Sequence, residues 1–375
     1  MIYFDNAATT AVKPQSVINA VNYALKNYSV NPGRSAYKTS IEASIKIYET
    51  RQVIADFFGA KPENVAFTLN CTHSINCILK GVLKNGDHII ISDLEHNAVV
   101  RPLFTLFKRR GINFSVAETG TSDDETIKNF EKLITPETKM IFSTHASNVT
   151  GQILPIERVG ELCKKHGILF GVDAAQSGGV LPINMEKSNI DFLAVAPHKG
   201  LYSPMGIGIL IARKPLEFTI LEGGTGTNSV DPLQPSDIPE KLESGTVNLP
   251  AIFGVKEGIK FVKSKNNLMV YKHEFELIKH IYNSLSELKN VELYTEKPEL
   301  FKSVPVLPFN IKGLSSDETA NYLSKNNIAV RAGLHCAPSV HKKLGTLERG
   351  CVRISSSLFN NFREAEYLIN VVKKI

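Results

Sequence analysis

Short hydrophobic runs alternate with longer amphipathic stretches through the middle of the chain. The runs predict buried β-strands at residues 65–68, 88–92, 139–143, 168–172 and 191–195. The stretches between them have helical periodicity. In residues 156–166, Val159 and Gly160 share the apolar face, and Gly167 is expected to end the helix. This alternation predicts a largely parallel sheet covered by helices on both faces.

Later segments follow a different pattern. Residues 206–211 form a strand-like run shortly after the strand at 191–195, so this run is expected to be antiparallel to its neighbours. Residues 223–249 are rich in Gly, Pro, Ser and Asp, which predicts a long functional loop. The remaining chain predicts an α+β unit, with helices over 251–288 (broken near 265–267), from 316 and over 361–374, and strands at 304–311, 328–331 and 351–355.

Composition narrows the class of protein. The 375 residues suit one large and one smaller domain. A net charge of +6 without a dense Lys/Arg block predicts no nucleic-acid partner. No apolar run approaches the ~20 residues of a membrane helix, and the N-terminus lacks the pattern of a secretory signal. We therefore expect a cytoplasmic protein with no membrane partner.

The cysteines support the same expectation. They are Cys71, Cys77, Cys163, Cys336 and Cys351. Because they are odd in number, scattered and without a CxxC pair, neither a disulfide framework nor a metal site is expected.

Two charged residues follow consecutive predicted strands, Asp173 after 168–172 and Lys199 after 191–195. Ligands of open parallel sheets bind beyond the carboxyl ends of the strands, so both are expected at one crevice. A carboxylate beside a pyridinium nitrogen and a lysine that forms an imine are the groups that pyridoxal phosphate (PLP) chemistry needs most. Gln176 can donate to the phenolic oxygen of the ring. Taken singly, each charge is more commonly a solvated surface group.

Several motifs, in order along the chain, resemble the class V aminotransferase family. They lie at 4–8 (FDNAA), 95–97 (EHN), 147–151 (SNVTG), 173–176 (DAAQ), 198–200 (HKG), 204–208 (PMGIG), 243–246 (ESGT) and 331–338 (RAGLHCAP). The last motif is similar to the Arg-x-Gly-x-His-Cys-Ala segment of SufS-like cysteine desulfurases. Motifs in register over nearly the whole chain are far more specific than any one of them.

The resemblance implies an α/β protein of PLP-dependent transferase fold type I. A mostly parallel seven-stranded sheet is expected in a large PLP-binding domain at 14–260. A smaller α+β domain is expected at 261–375, with residues 1–13 packed on it. The implied enzyme is a PLP-dependent cysteine desulfurase. In that reaction L-cysteine forms an imine with PLP, and the Cys336 thiolate attacks its sulfur to give an enzyme persulfide and L-alanine. A homodimer, a sulfur-acceptor protein and a role in iron–sulfur cluster assembly belong to the same expectation.

The resemblance also assigns roles position by position. Catalytic roles fall to Lys199, Cys336 and His96, whose ring is expected to stack on the cofactor. Cofactor contacts are expected from Lys199, Asp173, Gln176, His96, His198, Cys71, Thr72, Asn148 and, in the neighbouring subunit's site, Thr246. Substrate contacts are expected from Arg353, Asn148, Ala8 and Arg331. Arginine suits a substrate carboxylate because its planar fork binds both oxygens.

Plainer roles remain open for some of these residues. Thr72 also suits an ordinary helix N-cap, and His96 alone would be taken for a loop histidine. Cysteines are commonly small buried hydrophobes, although Gly333 and Pro338 place Cys336 in a loop. His335, Arg331 or the substrate itself are the groups that can favour its thiolate or accept its proton.

The sequence departs from the family pattern at several positions, two of which concern hydroxyl groups near the phosphate. Ala196 stands where a serine or threonine commonly helps to hold the phosphate, and Cys71 stands at a second hydroxyl position, where a backbone N–H can still serve. The hydroxyl donor lost at Ala196 is expected to weaken cofactor binding by roughly 1 kcal/mol unless water takes its place. Three alternatives to the desulfurase therefore stay open: a selenocysteine lyase, another class V activity such as an aminotransferase or C–S lyase, and a low-activity sulfur-relay or regulatory protein.

Overall fold

The computed structural model describes residues 1–33, 36–227 and 229–375. These residues form eleven α-helices, at Gln15–Asn27 (α1), Lys38–Phe58 (α2), Cys71–Val82 (α3), Asn97–Arg110 (α4), Asp123–Glu131 (α5), Ile156–His166 (α6), Leu249–Ser264 (α7), Asn267–Ser286 (α8), Ser316–Lys325 (α9), Pro338–Lys343 (α10) and Phe362–Val372 (α11). They also form twelve strands, at Ile2–Tyr3 (β1), Val65–Thr68 (β2), His88–Ser92 (β3), Asn113–Ala117 (β4), Thr138–Thr144 (β5), Leu169–Asp173 (β6), Phe192–Val195 (β7), Gly208–Ala212 (β8), Val291–Leu293 (β9), Val306–Ile311 (β10), Ile328–Ala329 (β11) and Val352–Ser355 (β12).

Seven strands form the central sheet, in the order β2-β8-β7-β6-β5-β3-β4. β8 is antiparallel to both of its neighbours, β2 and β7, and the remaining pairs are parallel. Every residue of β2, β3, β7 and β8 is buried, as expected of strands covered on both faces. The predicted α/β class, the mostly parallel seven-stranded sheet and the antiparallel run at 206–211 are confirmed.

Two hydrophobic layers cover the sheet. On one face, α1, α2, α6 and α7 pack around residues such as Ile54 and Phe170, and on the other face α3 and α4 pack around Ile78 and Phe142. Gly160 of α6 lies so close to the neighbouring loop that an added Cβ would be 1.8 Å from the carbonyl oxygen of Ser188. The predicted apolar face of α6 therefore includes a position where only glycine fits.

The C-terminal residues build a smaller α+β unit. An antiparallel sheet of order β12-β10-β9 packs against α8, α9 and α11. The N-terminal residues join this unit, because β1 pairs in parallel with β11 and Phe4 lies in the same core. The division into 14–260 and 261–375 stays a prediction. α7 runs across that boundary and packs on α1 and α2.

The structure differs from the hydrophobic pattern in a few elements. β4 is missed because it is an edge strand whose residues are mostly partly or fully exposed. The predicted strand at 328–331 is only two residues long, β11. The long helical stretch is divided where Asn266 caps α8, close to the predicted break. No helix within the described ranges is both long and apolar enough to cross a membrane.

Candidate active site

The carboxyl ends of β6 and β7 open onto one cavity. Asp173 is the last residue of β6, and Lys199 follows β7 in a turn closed by a bond from its N–H to the carbonyl of Ala196 (3.1 Å). Both side chains line the cavity, as the strand ends predict. The cavity also brings together Cys71, Thr72, His96, Asn148, Gln176 and His198.

Lys199 is partly buried in this cavity. Loss of solvent and then the guanidinium of Arg353 lower the pKa of its amine, while Asp173 opposes this shift. Because a desolvated lysine is more often neutral, its amine is better prepared to attack a carbonyl carbon.

Asp173 is buried, and its Oδ1 accepts from the N–H of Ala175 (2.8 Å) and from the thiol of Cys71 (3.6 Å). Burial and the Asp173 charge raise the pKa of the Cys71 thiol well above its usual range. The thiol therefore stays protonated and donates to the carboxylate. A phosphate contact from Cys71 is thereby left to its backbone N–H, in the first turn of α3.

The N-terminus of α3 faces the same cavity. Asn70 caps this helix by accepting from the N–H of His73 (2.9 Å), and the first-turn N–H groups at Cys71 and Thr72 have no helical partner, which favours an anion. Nδ1 of His198 is buried and has no partner among the described residues. Burial, with Lys199 and Lys13, lowers the pKa of His198 to about 4, so the ring is neutral.

The other expected hydroxyl is absent, because Ala196 presents a methyl group at this end of the cavity. Even so, the donor set fits PLP. The α3 N-terminus and His198 suit the phosphate, Asp173 suits the ring nitrogen and Lys199 suits the aldehyde carbon.

His96 stands at the start of α4, where its Nδ1 accepts from the N–H of Ala98 (3.0 Å). Burial lowers the pKa of the ring, so a neutral aromatic ring is held at the cavity. Behind it, the fully buried Glu95 accepts from the Ser92 hydroxyl and from the N–H of Thr144 (2.8 Å). Burial raises the pKa of Glu95 to about 8. The motif at 95–97 pointed to this segment, but only the fold shows that the glutamate is enclosed.

Gln176 connects the cavity to the N-terminal segment, since its amide nitrogen donates to the carbonyl of Ala7 (3.0 Å). The second N–H of this amide remains available to a ring oxygen. Ala8, expected near the substrate, follows Ala7 and is partly buried.

Arg353 is buried at the end of the small sheet. Its guanidinium forms an ion pair with Asp5 (2.8 Å), donates to the backbone carbonyl of Asn148 (2.9 Å), and leaves Nε without a partner among the described residues. The ion pair with Asp5 was not apparent from sequence. Arg331 is exposed, but its charge helps to lower the pKa of Lys199 and of His96, so it lies near the cavity.

Cys336 lies in a turn that is fixed to this cavity through the backbone. The N–H of Asn97, the first residue of α4, donates to the carbonyl of Cys336 (2.7 Å). The Asn148 side chain donates to the carbonyl of His335 (2.7 Å). Cys336 is the one exposed cysteine of the five, and the other four are buried. Burial raises the pKa of Cys77 and of Cys351 to about 12, so these thiols are unreactive, as expected.

His335 is not suited to accept the proton of Cys336. Its ring is buried, and burial together with the Arg353 charge lowers its pKa to about 3. Of the groups named from sequence, Arg331 and the substrate therefore remain. Thr246 is exposed and does not line the cavity of its own chain, so its expected role across a subunit interface stays a prediction.

Comparison with known proteins agrees with this geometry. The family model for aminotransferase class V matches residues 2–368. A probable cysteine desulfurase of Pyrococcus abyssi is 33% identical, with 100% of this chain and 94% of the relative covered. A probable cysteine desulfurase of Borreliella burgdorferi is 32% identical, with 100% and 92% covered. The chain belongs to the aminotransferase class V family.

Solved structures give the same result. The apo cysteine desulfurase from Thermococcus onnurineus superposes with a TM-score of 0.92 at 34% identity, with 100% of this chain and 94% of that chain covered. The cysteine desulfurase CsdA of Escherichia coli gives a TM-score of 0.88 at 25% identity, with 99% and 94% covered.

Proposed function

We propose that this chain is a PLP-dependent cysteine desulfurase that converts L-cysteine into L-alanine and leaves the sulfur on Cys336 as a persulfide. The observation that carries the proposal is the position of the exposed thiol. The carbonyl of Cys336 is bound to the first residue of the helix that His96 caps, and the preceding carbonyl is bound to Asn148 of the cavity.

Each residue of the cavity has its own role in the proposed reaction. PLP, when bound, draws electrons from the substrate α-carbon and so prepares the bond between Cβ and sulfur for cleavage. With PLP bound, Asp173 would keep the ring nitrogen protonated, and the neutral ring of His96 would stack on the cofactor. Arg353 binds the substrate carboxylate through the N–H groups that Asp5 and Asn148 leave free.

The thiolate of Cys336 attacks the substrate sulfur. A bond forms between the two sulfur atoms, the bond between sulfur and Cβ breaks, and its electron pair takes a proton at carbon to give alanine. Burial lowers the pKa of Lys199, which suits its amine to take the proton from the substrate α-carbon, and the ammonium formed is then the donor that returns a proton at carbon.

The test uses purified protein supplemented with PLP and L-cysteine. Cys336→Ala is expected to abolish sulfide and alanine formation while the visible absorbance of the bound cofactor stays unchanged. Lys199→Ala is expected to lose that absorbance band. Cys163→Ala, in α6 and away from the cavity, is the matched control and retains activity. Alanine formation at the wild-type rate by Cys336→Ala would contradict the proposal. Transamination, or lyase activity on selenocysteine alone, would support the other class V activities.

We further propose a homodimer. Ile41, Ile45 and Tyr48 lie on α2 as an apolar stripe, and each is about half exposed. A stripe of this kind suits a subunit interface, and Thr246 would then reach the neighbouring cofactor phosphate. Light scattering of the purified protein tests the mass. Thr246→Ala should weaken PLP retention without changing that mass.

A sulfur-acceptor protein follows from the same chemistry, because an exposed persulfide needs a thiol to receive its sulfur. A free catalytic thiol also favours a reducing compartment, and the cytoplasm stays our prediction.

A further inference from the structure

The backbone at Cys336 has a conformation that residues other than glycine rarely adopt. His335 has φ of 49° and Cys336 has φ of 57°, both in the left-handed region. Two consecutive residues of this kind persist only where the surroundings enforce them. The bonds from Asn97 and Asn148 hold the two carbonyls from the cavity side. A second set of contacts, made by buried polar groups, holds the ring of His335.

The ring of His335 belongs to a buried hydrogen-bonded chain. Its Nε2 lies 3.4 Å from the carbonyl oxygen of Arg331, and its Nδ1 lies 3.4 Å from Nε2 of His341. Nδ1 of His341 in turn lies 2.8 Å from the hydroxyl of Thr346. His341 and Thr346 are at most 1% exposed. Solvent therefore does not compete for the contact between His341 and Thr346.

The donor and the acceptor of each hydrogen bond in this series can be assigned by starting from the carbonyl group of Arg331. A carbonyl oxygen only accepts, so the contact with Arg331 requires the proton of neutral His335 to be on Nε2, and Nδ1 is then an acceptor. His341 Nε2 is nearer to that atom than the Cys351 thiol is (3.4 against 4.0 Å), so we assign the His341 proton to Nε2, which makes its Nδ1 an acceptor as well. The hydroxyl of Thr346 is the donor to that atom. Burial lowers the pKa of both histidines, so both rings are neutral.

The ring geometry favours a proton between the two histidines over a metal ion. Cys351 completes a possible ligand set, since its sulfur is 4.0 Å from Nδ1 of His335 and the three ligand atoms lie within 4.8 Å of one another. However, the ring centroids are 5.6 Å apart and the nitrogens 3.4 Å apart, and the difference of 2.2 Å is close to two imidazole radii. The nitrogens thus point at each other, whereas an ion bound to both would lie off their line. The charges of Arg353 and Arg331 near His335 also oppose a cation.

We propose that Thr346 is a positioning residue for sulfur transfer: its hydroxyl fixes the proton on His341, which fixes the ring of His335 and with it the left-handed turn that presents the Cys336 thiol. The inference rests on the proposed desulfurase function. Thr346 lies ten residues from Cys336 in the sequence and acts only through the two histidines.

The test compares Thr346→Val, which keeps the shape but loses the hydroxyl, with Thr346→Ser, which keeps the hydroxyl. In single-turnover experiments with L-cysteine, Thr346→Val should form alanine and persulfide about fivefold more slowly, the effect of one lost hydrogen bond of about 1 kcal/mol. The KM for L-cysteine and the cofactor absorbance should stay unchanged, and Thr346→Ser should remain within about twofold of wild type. Amide hydrogen exchange in residues 333–337 should be faster in Thr346→Val only.

A second experiment repeats the Thr346→Val substitution in a protein that already carries His341→Gln. In His341→Gln, the amide supplies an N–H to Nδ1 of His335 without any help from Thr346, so Thr346→Val should have no further effect there. Equal transfer rates in Thr346→Val and Thr346→Ser would overturn the proposal, as would a change in KM or in cofactor absorbance. Stoichiometric zinc or copper that is lost in Cys351→Val would overturn it too, since an ion would then replace the proton. If wild-type protein forms no alanine, the proposed function fails, while the exchange experiment still tests the hydrogen-bonded chain.

Discussion

Glu95 should make the protein less stable as the pH rises. The carboxyl is fully buried behind His96, and burial raises its pKa from 4.5 to about 8. The folded state therefore binds this proton more tightly than the unfolded state does. As the pH rises from the lower to the higher of these two pKa values, the free energy of unfolding decreases. Each pH unit in the window changes the free energy of unfolding by about 1.4 kcal/mol. From pH of about 5.5 to about 7.5 the loss is about 2.5 kcal/mol, slightly less than the full slope because both states titrate near the ends.

Glu95→Gln removes the titrating group and keeps its shape and its acceptor oxygen. Urea unfolding of the PLP-loaded protein, followed at several pH values, should show a slope shallower than that of wild type by about 2.5 kcal/mol over this window. Part of the slope should persist, because burial also raises the pKa of Glu274 to about 8. Glu161→Gln, on the exposed side of α6, controls for the substitution itself. Parallel curves for Glu95→Gln and wild type would refute the reasoning.

Two further predictions concern exposure and packing. Iodoacetamide should label Cys336 alone in the folded protein and all five cysteines after denaturation, as read by mass spectrometry, because only Cys336 is exposed. A second cysteine labelled at a similar rate in the folded state would contradict the packing. Gly160→Ala should destabilise the protein by about 3 kcal/mol in urea unfolding, since its Cβ would be 1.8 Å from the carbonyl of Ser188. Gly167→Ala, whose Cβ would meet open space at a φ of 67°, should cost only about 1 kcal/mol, and equal losses for the two would count against the close contact.

Much of the fold can be predicted from the hydrophobic pattern, because the strands of the central sheet are buried on both faces and therefore read as continuous apolar runs. The strand ends at Asp173 and Lys199 then place the two main groups in one cavity. The edge strand β4 lacks such a run and is missed. The sequence pattern therefore predicts a strand correctly where all its residues are buried.

The contacts that hold the site residues in position join residues far apart in the sequence. Local sequence patterns therefore do not predict them. The ion pair between Asp5 and Arg353 joins residues 348 positions apart. The bond from Asn97 to Cys336 joins a helix start to a loop of the C-terminal unit. The burial of His335 and His341 and the approach of their ring nitrogens are likewise visible only in the fold.

The pairing of β1 with β11 bears on how the enzyme is made. Ile2 and Tyr3 find their strand partners only at Ile328 and Ala329, and the N–H of Ser355 bonds to the carbonyl of Phe4. These early residues of the chain therefore cannot pair until residues far along the sequence have been synthesised. A nascent chain that has completed the central sheet would hold Asp173 and Lys199 in place yet still lack Cys336. Premature release would then give a fragment that has the proposed cofactor-binding residues but lacks the proposed sulfur-carrying thiol.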